Sequence, residues 1–148
     1  GYELVVHDIR RAAAERHMAA GAVWADTPKA LAEQCEVIFT SLPGPPEVEE
    51  VALGQNGLLA GMKDGSAYFD LSTNSPTLVR EVNRRFAEKH VYMLDSPVSG
   101  GPRGASQRGA RHPCGRQARG GGWRGHMTEA TAPTRHERVA AWIASPAA

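Results

Sequence analysis

Short apolar runs alternate with helix-like segments through the first hundred residues, and this alternation restricts the fold more than any other feature. The runs that favour strands cover residues 4–7, 22–25, 36–42, 66–71 and 91–94. Between them lie segments with helical spacing, two of which open with a hydroxyl residue followed by proline, at Thr27-Pro28 and Ser75-Pro76. The pattern predicts parallel βα units in a doubly wound α/β sheet.

Polar or glycine-rich sequence follows four of these strands. These stretches are His7-Asp8, residues 41–44, residues 70–74 and residues 95–101. Ligands of parallel sheets bind at the carboxyl ends of the strands, so we expect the four stretches to meet at one edge. In the last of them, Ser99, Gly100 and Gly101 fit a small-anion site, because adjacent glycines allow backbone amides to converge beside a hydroxyl. A plain turn is the alternative.

The charge is distributed unevenly along the 148 residues, although the formal net charge is only +1. From Arg103 onward there are eight arginines and two acidic residues, so this part carries +6 and residues 1–102 carry −5. Residues 106–126 are rich in glycine and arginine and poor in apolar side chains, a composition that favours disorder. The sequence thus divides into a folded domain at 1–105 and a Gly/Arg-rich tail at 106–148, in which a short helix over 137–144 is predicted.

Several classes of protein are disfavoured by composition. No apolar run is long enough for a membrane helix, and the overall charge points to neither a membrane nor a nucleic-acid partner. Two cysteines, Cys35 and Cys114, indicate thiols in a reducing compartment, so we expect the cytoplasm. His112, Cys114, His126 and His136 have the spacing of no standard metal site, and no metal is predicted.

The ordered motifs resemble the amino-terminal cofactor domain of the β-hydroxyacid dehydrogenases, the family of 3-hydroxyisobutyrate dehydrogenase, related to 6-phosphogluconate dehydrogenase. Asp8 ends the first strand, Ser41-Leu42-Pro43 ends the third and residues 70–73 end the fourth. Residues 95–102, Asp-Ser-Pro-Val-Ser-Gly-Gly-Pro, are close to the substrate-binding signature of that family. The resemblance implies a Rossmann-like fold over residues 1–105 and an oxidoreductase that uses NAD or NADP on a small hydroxy acid or its semialdehyde.

Cofactor-binding residues are carried over from this resemblance. It implies that Asp8 accepts hydrogen bonds from the adenosine ribose, which favours NAD. Against that, Arg10 and Arg11 follow at once and could hold the 2′-phosphate of NADP. Leu42 and Pro43 would lie along the diphosphate and nicotinamide ribose, and Thr73 near the nicotinamide. The alternatives are that Asp8 caps the helix that follows the first strand and that Thr73 caps the helix that follows the fourth strand. Glu47 places a carboxylate where the family often has an amide.

The resemblance also implies which residues bind the substrate and how the protein assembles. Ser99, Gly100 and Gly101 would bind the carboxylate of a small substrate. The family forms homo-oligomers, largely through a helical domain that follows the cofactor domain. Its catalytic lysine lies on a helix beyond the signature, whereas the last lysine here is Lys89, so no catalytic residue is assigned. We therefore expect this chain to be inactive by itself.

The first strand of the family has no counterpart at the start of this sequence. The family begins with a strand and a Gly-x-Gly-x-x-Gly loop, and this sequence starts after that unit. The missing strand is central in the order 3-2-1-4-5-6, so we expect an incomplete sheet with a gap, and a chain that is unstable or rearranges its strand pairing. The abrupt change after residue 105 prompts the hypothesis of a shifted reading frame. Two other functions stay open: a fragment or pseudogene product without catalysis, and an RNA or polyanion binder that uses the Arg-Gly tail.

Overall fold

A computed structural model describes residues 3–98 and 138–142 of the chain. The strands are β1 (Glu3–His7), β2 (Val23–Trp24), β3 (Val37–Thr40), β4 (Ala67–Asp70), β5 (Tyr92–Asp95) and β6 (Arg138–Trp142). The helices are α1 (Arg11–Ala19), α2 (Pro28–Ala32), α3 (Pro45–Leu53), α4 (Leu58–Gly61) and α5 (Pro76–Ala87). Up to β5, each element matches one predicted from the sequence, with ends that differ by a few residues.

The six strands form one parallel sheet in the order β2-β1-β6-β3-β4-β5. β6 lies in the centre, where it pairs with β1 over five residues and with β3 over three. The doubly wound α/β fold is therefore confirmed. Apart from β6, the strands follow the order expected for numbers two to six of a Rossmann sheet.

The position of β6 corrects two expectations. The central position of the sheet is filled, and the segment predicted as a helix over 137–144 forms a strand over Arg138–Trp142. A short apolar run fits either structure, and the spacing of Val139 and Trp142 favoured a helix. Tertiary context decides for the strand, because β1 and β3 each offer a row of backbone donors and acceptors that need partners. Residues 106–137 and 143–148 lie outside the described part, and their disorder stays a prediction.

Local capping explains where the helices begin and end. The Thr27 hydroxyl accepts a hydrogen bond from the Ala30 amide at 3.0 Å at the start of α2, and the Ser75 hydroxyl accepts one from the Leu78 amide at 3.3 Å at the start of α5. After α1 the chain turns at Gly21, whose φ of +100° is a conformation open mainly to glycine. The two helix starts, at Thr27-Pro28 and Ser75-Pro76, were predicted from the sequence.

The main core lies between the sheet and the layer formed by α2, α3, α4 and α5. Tyr68 and Phe86 are its largest fully buried side chains, with ring centroids 5.1 Å apart. Val5 belongs to this core, whereas the neighbouring Val6 is buried outside it, because successive strand residues point to opposite faces. No helix of the described residues is long and apolar enough to cross a bilayer.

Candidate dinucleotide site

The loops that follow β1, β3, β4 and β5 all leave the same edge of the sheet, because every strand pair is parallel. Between the first two of these loops lies a cavity of about 470 Å³. Its walls come from the end of β1, the start of α2, the loop after β3 and one face of α3. The lining residues are His7, Asp8, Ile9, Pro28, Leu42, Pro43, Pro46, Glu47, Glu50, Val51 and Asn56.

Asp8 lies at the carboxyl end of β1, on the wall of this cavity, and is only 3% exposed. Its Oδ1 accepts the N–H of Arg10 at 2.8 Å, which fixes the turn into α1. Arg10 is the exposed N-cap residue of that helix and does not line the cavity. The carboxylate thus orders the loop through backbone contact and also faces the cavity, so the two roles considered for Asp8 are compatible.

His7 forms part of the same wall and is nearly buried. Its Nδ1 lies 2.7 Å from the carbonyl oxygen of Ala25, and since a carbonyl can only accept, Nδ1 carries the proton. The ring lies against Trp24, with centroids 5.4 Å apart, and the Arg11 guanidinium lies 5.1 Å from the centre of the Trp24 ring. These contacts hold β1, β2 and the start of α1 together beside the cavity.

Leu42 and Pro43, both predicted from the sequence, line the cavity from the loop after β3. The Leu42 amide donates to the Ser72 hydroxyl at 2.9 Å, and the Leu71 amide donates to the Thr40 carbonyl at 2.8 Å. The loops after β3 and β4 are therefore joined by two hydrogen bonds.

Thr73 lies on the loop after β4, exposed to solvent and outside the cavity around Asp8. The alternative role considered for it, capping α5, belongs to Ser75 instead. Thr73 is thus held at the strand-end edge without a part in starting the helix, and its place beside the nicotinamide stays a prediction.

Asp70 is fully buried at the end of β4, and its carboxylate accepts three hydrogen bonds from residues that the structure describes. Thr40 Oγ1 and the Ser72 amide each lie 3.0 Å from Oδ1, and Asn74 Nδ2 lies 2.5 Å from Oδ2. Burial, followed by the nearby Asp70 carboxylate, raises the pKa of the Tyr68 hydroxyl far above its usual value. Partial desolvation and the same carboxylate also raise the pKa of Asp95, which lies opposite Asp70 on β5.

The substrate-binding residues predicted from the sequence, Ser99, Gly100 and Gly101, lie outside the described residues. The segment before them continues along β4, because the Ser96 amide donates to the Asp70 carbonyl at 2.8 Å and the Val98 amide donates to the Leu71 carbonyl at 3.3 Å. The chain therefore runs beside the loop after β4 as far as Val98.

A sequence model of the NAD binding domain of 6-phosphogluconate dehydrogenase matches residues 1–119, most of the chain. The chain belongs to this family. Its relatives are named as oxidoreductases, and several as 3-hydroxyisobutyrate dehydrogenases, so the domain belongs with the β-hydroxyacid dehydrogenases, as the sequence motifs predict.

Three relatives of this NAD-binding domain illustrate the match. An uncharacterized oxidoreductase of Bacillus subtilis, YkwC, is 37% identical over 105 residues, which are 71% of this chain and 36% of YkwC. Mitochondrial 3-hydroxyisobutyrate dehydrogenase of Mus musculus is 34% identical over 101 residues, 68% of this chain and 30% of that protein. The solved structure of Psf3 in complex with NADP+ and 2-OPP has a TM-score of 0.68 and 25% identity, covering 97% of this chain and 49% of Psf3. The chain spans about a third of the length of the curated relatives it matches.

The residues of the cavity fit the adenosine half of a nicotinamide dinucleotide. A purine needs apolar walls, which Ile9, Pro28 and Val51 supply, and ribose hydroxyls need an acceptor, which Asp8 supplies at the end of β1. A nicotinamide cofactor is what a domain of this family binds. Among residues 3–98 and 138–142, no cluster of three or more His, Cys, Asp or Glu is placed to hold a metal ion.

Sequence reasoning missed much of the cavity wall. Pro28 follows β2 and could have been found by the same strand-end rule that found Asp8, but proline after threonine was interpreted only as a helix start. Glu50 and Val51 follow Pro46 and Glu47 by one helical turn and share their face of α3. Asn56 carried no signal beyond a turn, and its carbonyl accepts the Lys29 amide at 2.9 Å, which brings that turn to the start of α2.

Proposed function

We propose that this chain supplies the dinucleotide-binding part of an NAD-dependent oxidoreductase that acts on a small hydroxy acid or its semialdehyde. The observation that carries the proposal is a buried carboxylate, Asp8, facing a largely apolar cavity at the carboxyl end of a parallel strand. That combination suits adenosine, whose base is apolar on its faces and whose ribose presents two hydroxyl donors.

The residues present divide the cofactor among the loops that follow β1, β3 and β4. Asp8 binds the ribose while Ile9 and Pro28 cover the adenine. Leu42 and Pro43 follow the diphosphate and nicotinamide ribose, and Thr73 approaches the nicotinamide. When bound, the nicotinamide supplies a hydride acceptor for the carbon that bears the substrate hydroxyl.

We propose NAD rather than NADP as the preferred cofactor. Asp8, Glu47 and Glu50 place three carboxylates around the cavity, and these would repel a 2′-phosphate. Of the two arginines that follow Asp8, Arg11 lies over the Trp24 ring and Arg10 does not line the cavity. The adenosine end is therefore electrostatically suited to a ribose with free hydroxyls.

We further propose that Ser99, Gly100 and Gly101 bind the substrate carboxylate and that the chain by itself does not turn over substrate, because no lysine follows Lys89. The full enzyme would be a homo-oligomer. Its compartment would be the cytoplasm, on the basis of the two cysteines in the sequence. Apart from the compartment, these points depend on the family resemblance of the motifs.

Titration of NADH and NADPH fluorescence tests the proposal in the full chain. We expect wild type to bind NADH more tightly than NADPH. Asp8→Ala should weaken NADH binding by about tenfold to a hundredfold, since hydrogen bonds to a charged acceptor are worth about 1.5–3 kcal/mol. Asp8→Asn should reduce the preference for NADH, because an amide no longer repels the 2′-phosphate.

Asp64→Ala is the matched control, because Asp64 is an exposed carboxylate that pairs with His90 and does not line the cavity. Thermal unfolding of each variant measures how much the loss of the hydrogen bond between Asp8 and the Arg10 amide destabilises the protein. This effect can then be distinguished from a loss of cofactor binding. Absence of NADH binding by wild type, or equal effects of Asp8→Ala and Asp64→Ala, would contradict the proposal.

A further inference from the structure

Asp70 is a buried carboxylate that is held by neutral hydrogen-bond donors, an arrangement that packing of the fold does not by itself require. It is fully buried, and within residues 3–98 and 138–142 no lysine or arginine forms a salt bridge with it. A buried carboxylate without a cation needs several neutral donors, and the three that it has come from Thr40, Ser72 and Asn74. These donors belong to different segments, so the carboxylate joins the end of β3 to the loop after β4.

The direction of each hydrogen bond follows from the chemistry of the groups. An ionised carboxylate can only accept, so the single hydroxyl hydrogen of Thr40 points to Asp70. The Tyr68 hydroxyl, 2.9 Å from Thr40 Oγ1, must then be the donor in that pair. The raised pKa of Tyr68 keeps this hydroxyl protonated. The result is a directed chain of hydrogen bonds from Tyr68 through Thr40 to Asp70.

Two steps connect Asp70 to the loop that carries Leu42 and Pro43. The carboxylate holds the Ser72 backbone amide, and the Ser72 hydroxyl accepts the Leu42 amide at 2.9 Å. On the other side of Asp70, the Asn74 side chain is held as well. Thr73 lies between Ser72 and Asn74, so both of its chain neighbours are anchored to one carboxylate.

The Asn74 amide indicates that this arrangement does more than stabilise the fold. Its nitrogen faces Asp70 because the carboxylate needs a donor. Its Oδ1 is then buried, and no donor from the described residues reaches it. Native proteins leave few buried acceptors without a donor, and such groups deserve an explanation beyond stability.

We propose that Asp70 is a positioning residue for the nicotinamide half of the cofactor site: its carboxylate sets the loop of Leu42 and Pro43 against the loop of Thr73. The inference rests on the proposed function. It also predicts a division within the site. Asp8 serves the adenosine half from β1, whereas the carboxylate of Asp70, among the residues that the structure describes, bonds to Thr40, Ser72 and Asn74 and to no residue of β1 or α1.

Separate ligands for the two halves of the site test this division. Isothermal titration of the full chain with NADH and with AMP reports the whole dinucleotide and the adenosine half. Asp70→Asn keeps the size of the side chain but turns a donor toward Asn74. We expect it to weaken NADH binding by about tenfold and to leave AMP binding within about twofold of wild type. Asp8→Ala should instead weaken both ligands.

Val82→Ala is the matched stability control, because Val82 is fully buried in α5 and does not line the cavity. It should lower the melting temperature without a selective loss of NADH binding. Ser72→Ala provides a second variant if Asp70→Asn fails to fold, since it removes only the acceptor of the Leu42 amide; we expect the same selective loss, at roughly fivefold.

The outcomes separate this inference from the proposed function. Failure of wild type to bind NADH or AMP would reject both. Normal NADH binding by Asp70→Asn, or by Ser72→Ala if the first variant does not fold, would reject the positioning role alone. A parallel loss of NADH and AMP, or a selective NADH loss that Val82→Ala reproduces, would show that Asp70 acts only through the stability of the fold.

Discussion

Ala140 lies opposite Val5 in a parallel ladder, although about 135 residues separate the two along the chain. On its other side Ala140 lies opposite Ile38. A residue from the far part of the sequence therefore bridges the two central strands that carry Asp8 and Thr40 toward the candidate site.

Replacing Ala140 with proline should disrupt the centre of the sheet. Proline has no backbone N–H and fits poorly into a central strand, and a buried carbonyl that loses its donor costs about 1–3 kcal/mol. We expect a large fall in the free energy of unfolding, measured by urea denaturation followed by circular dichroism. Ala140→Gly keeps the N–H and should cost only about 0.5–1 kcal/mol. Equal stability of Ala140→Pro and Ala140→Gly would argue against a central β6.

Ile9→Ala should weaken cofactor binding without destabilising the protein. Ile9 is 91% exposed while lining the cavity, so its side chain contributes little to folding and is available to cover adenine. We expect NADH affinity to fall by roughly tenfold, as expected for loss of an apolar side chain from a contact surface. Val23→Ala is the control, being an exposed apolar residue away from this cavity. Unchanged affinity for Ile9→Ala would place the adenine elsewhere.

Stability should fall at alkaline pH because of Tyr68. Its pKa is raised in the folded protein, mainly by burial, whereas in the unfolded chain the hydroxyl ionises near 10.0. Above that pH the unfolded state loses a proton that the folded state keeps, so the free energy of unfolding decreases as pH rises. Melting temperatures from pH 8 to 11.5 should show this decline. Tyr68→Phe should reduce the slope, and Tyr92→Phe, at an exposed position, should not.

Asp95→Asn should stabilise the protein at neutral pH. Partial desolvation and the charge of Asp70 raise the pKa of Asp95 above its usual 3.8, so the ionised form is disfavoured in the folded state. At pH 7 the side chain is charged in both states, and removing its charge should raise the melting temperature. Below the unfolded pKa both states are protonated and the gain should vanish by about pH 2.5. If Asp95→Asn raised the melting temperature equally at pH 7 and at about pH 2.5, the effect would come from packing and not from charge.

Sequence reasoning succeeded where local signals and global topology agree. The caps at Thr27 and Ser75 and the buried runs around Ile38 and Tyr68 each have a short-range cause. The rule that ligands bind at strand ends then placed Asp8 and Leu42 on one cavity, as observed.

The remaining features depend on contacts between distant segments. The five residues of β6 carry no decisive local preference, and only the pairing needs of β1 and β3 make them a strand. The sequence likewise marked Asp70 as the end of a strand, but its partner Thr40 becomes visible only when the register of β3 and β4 places the two residues opposite each other. Neither relationship has a signature within a short window of sequence.

The central place of β6 also concerns synthesis on the ribosome. Residues 3–98 emerge first, and β6 cannot pair with β1 and β3 until residue 142 has left the exit tunnel. At about 5–20 residues per second this interval lasts several seconds. Throughout it β1 and β3 lack β6 as their partner, so a chaperone that holds the emerging chain would favour pairing with β6 over pairing with a foreign extended peptide.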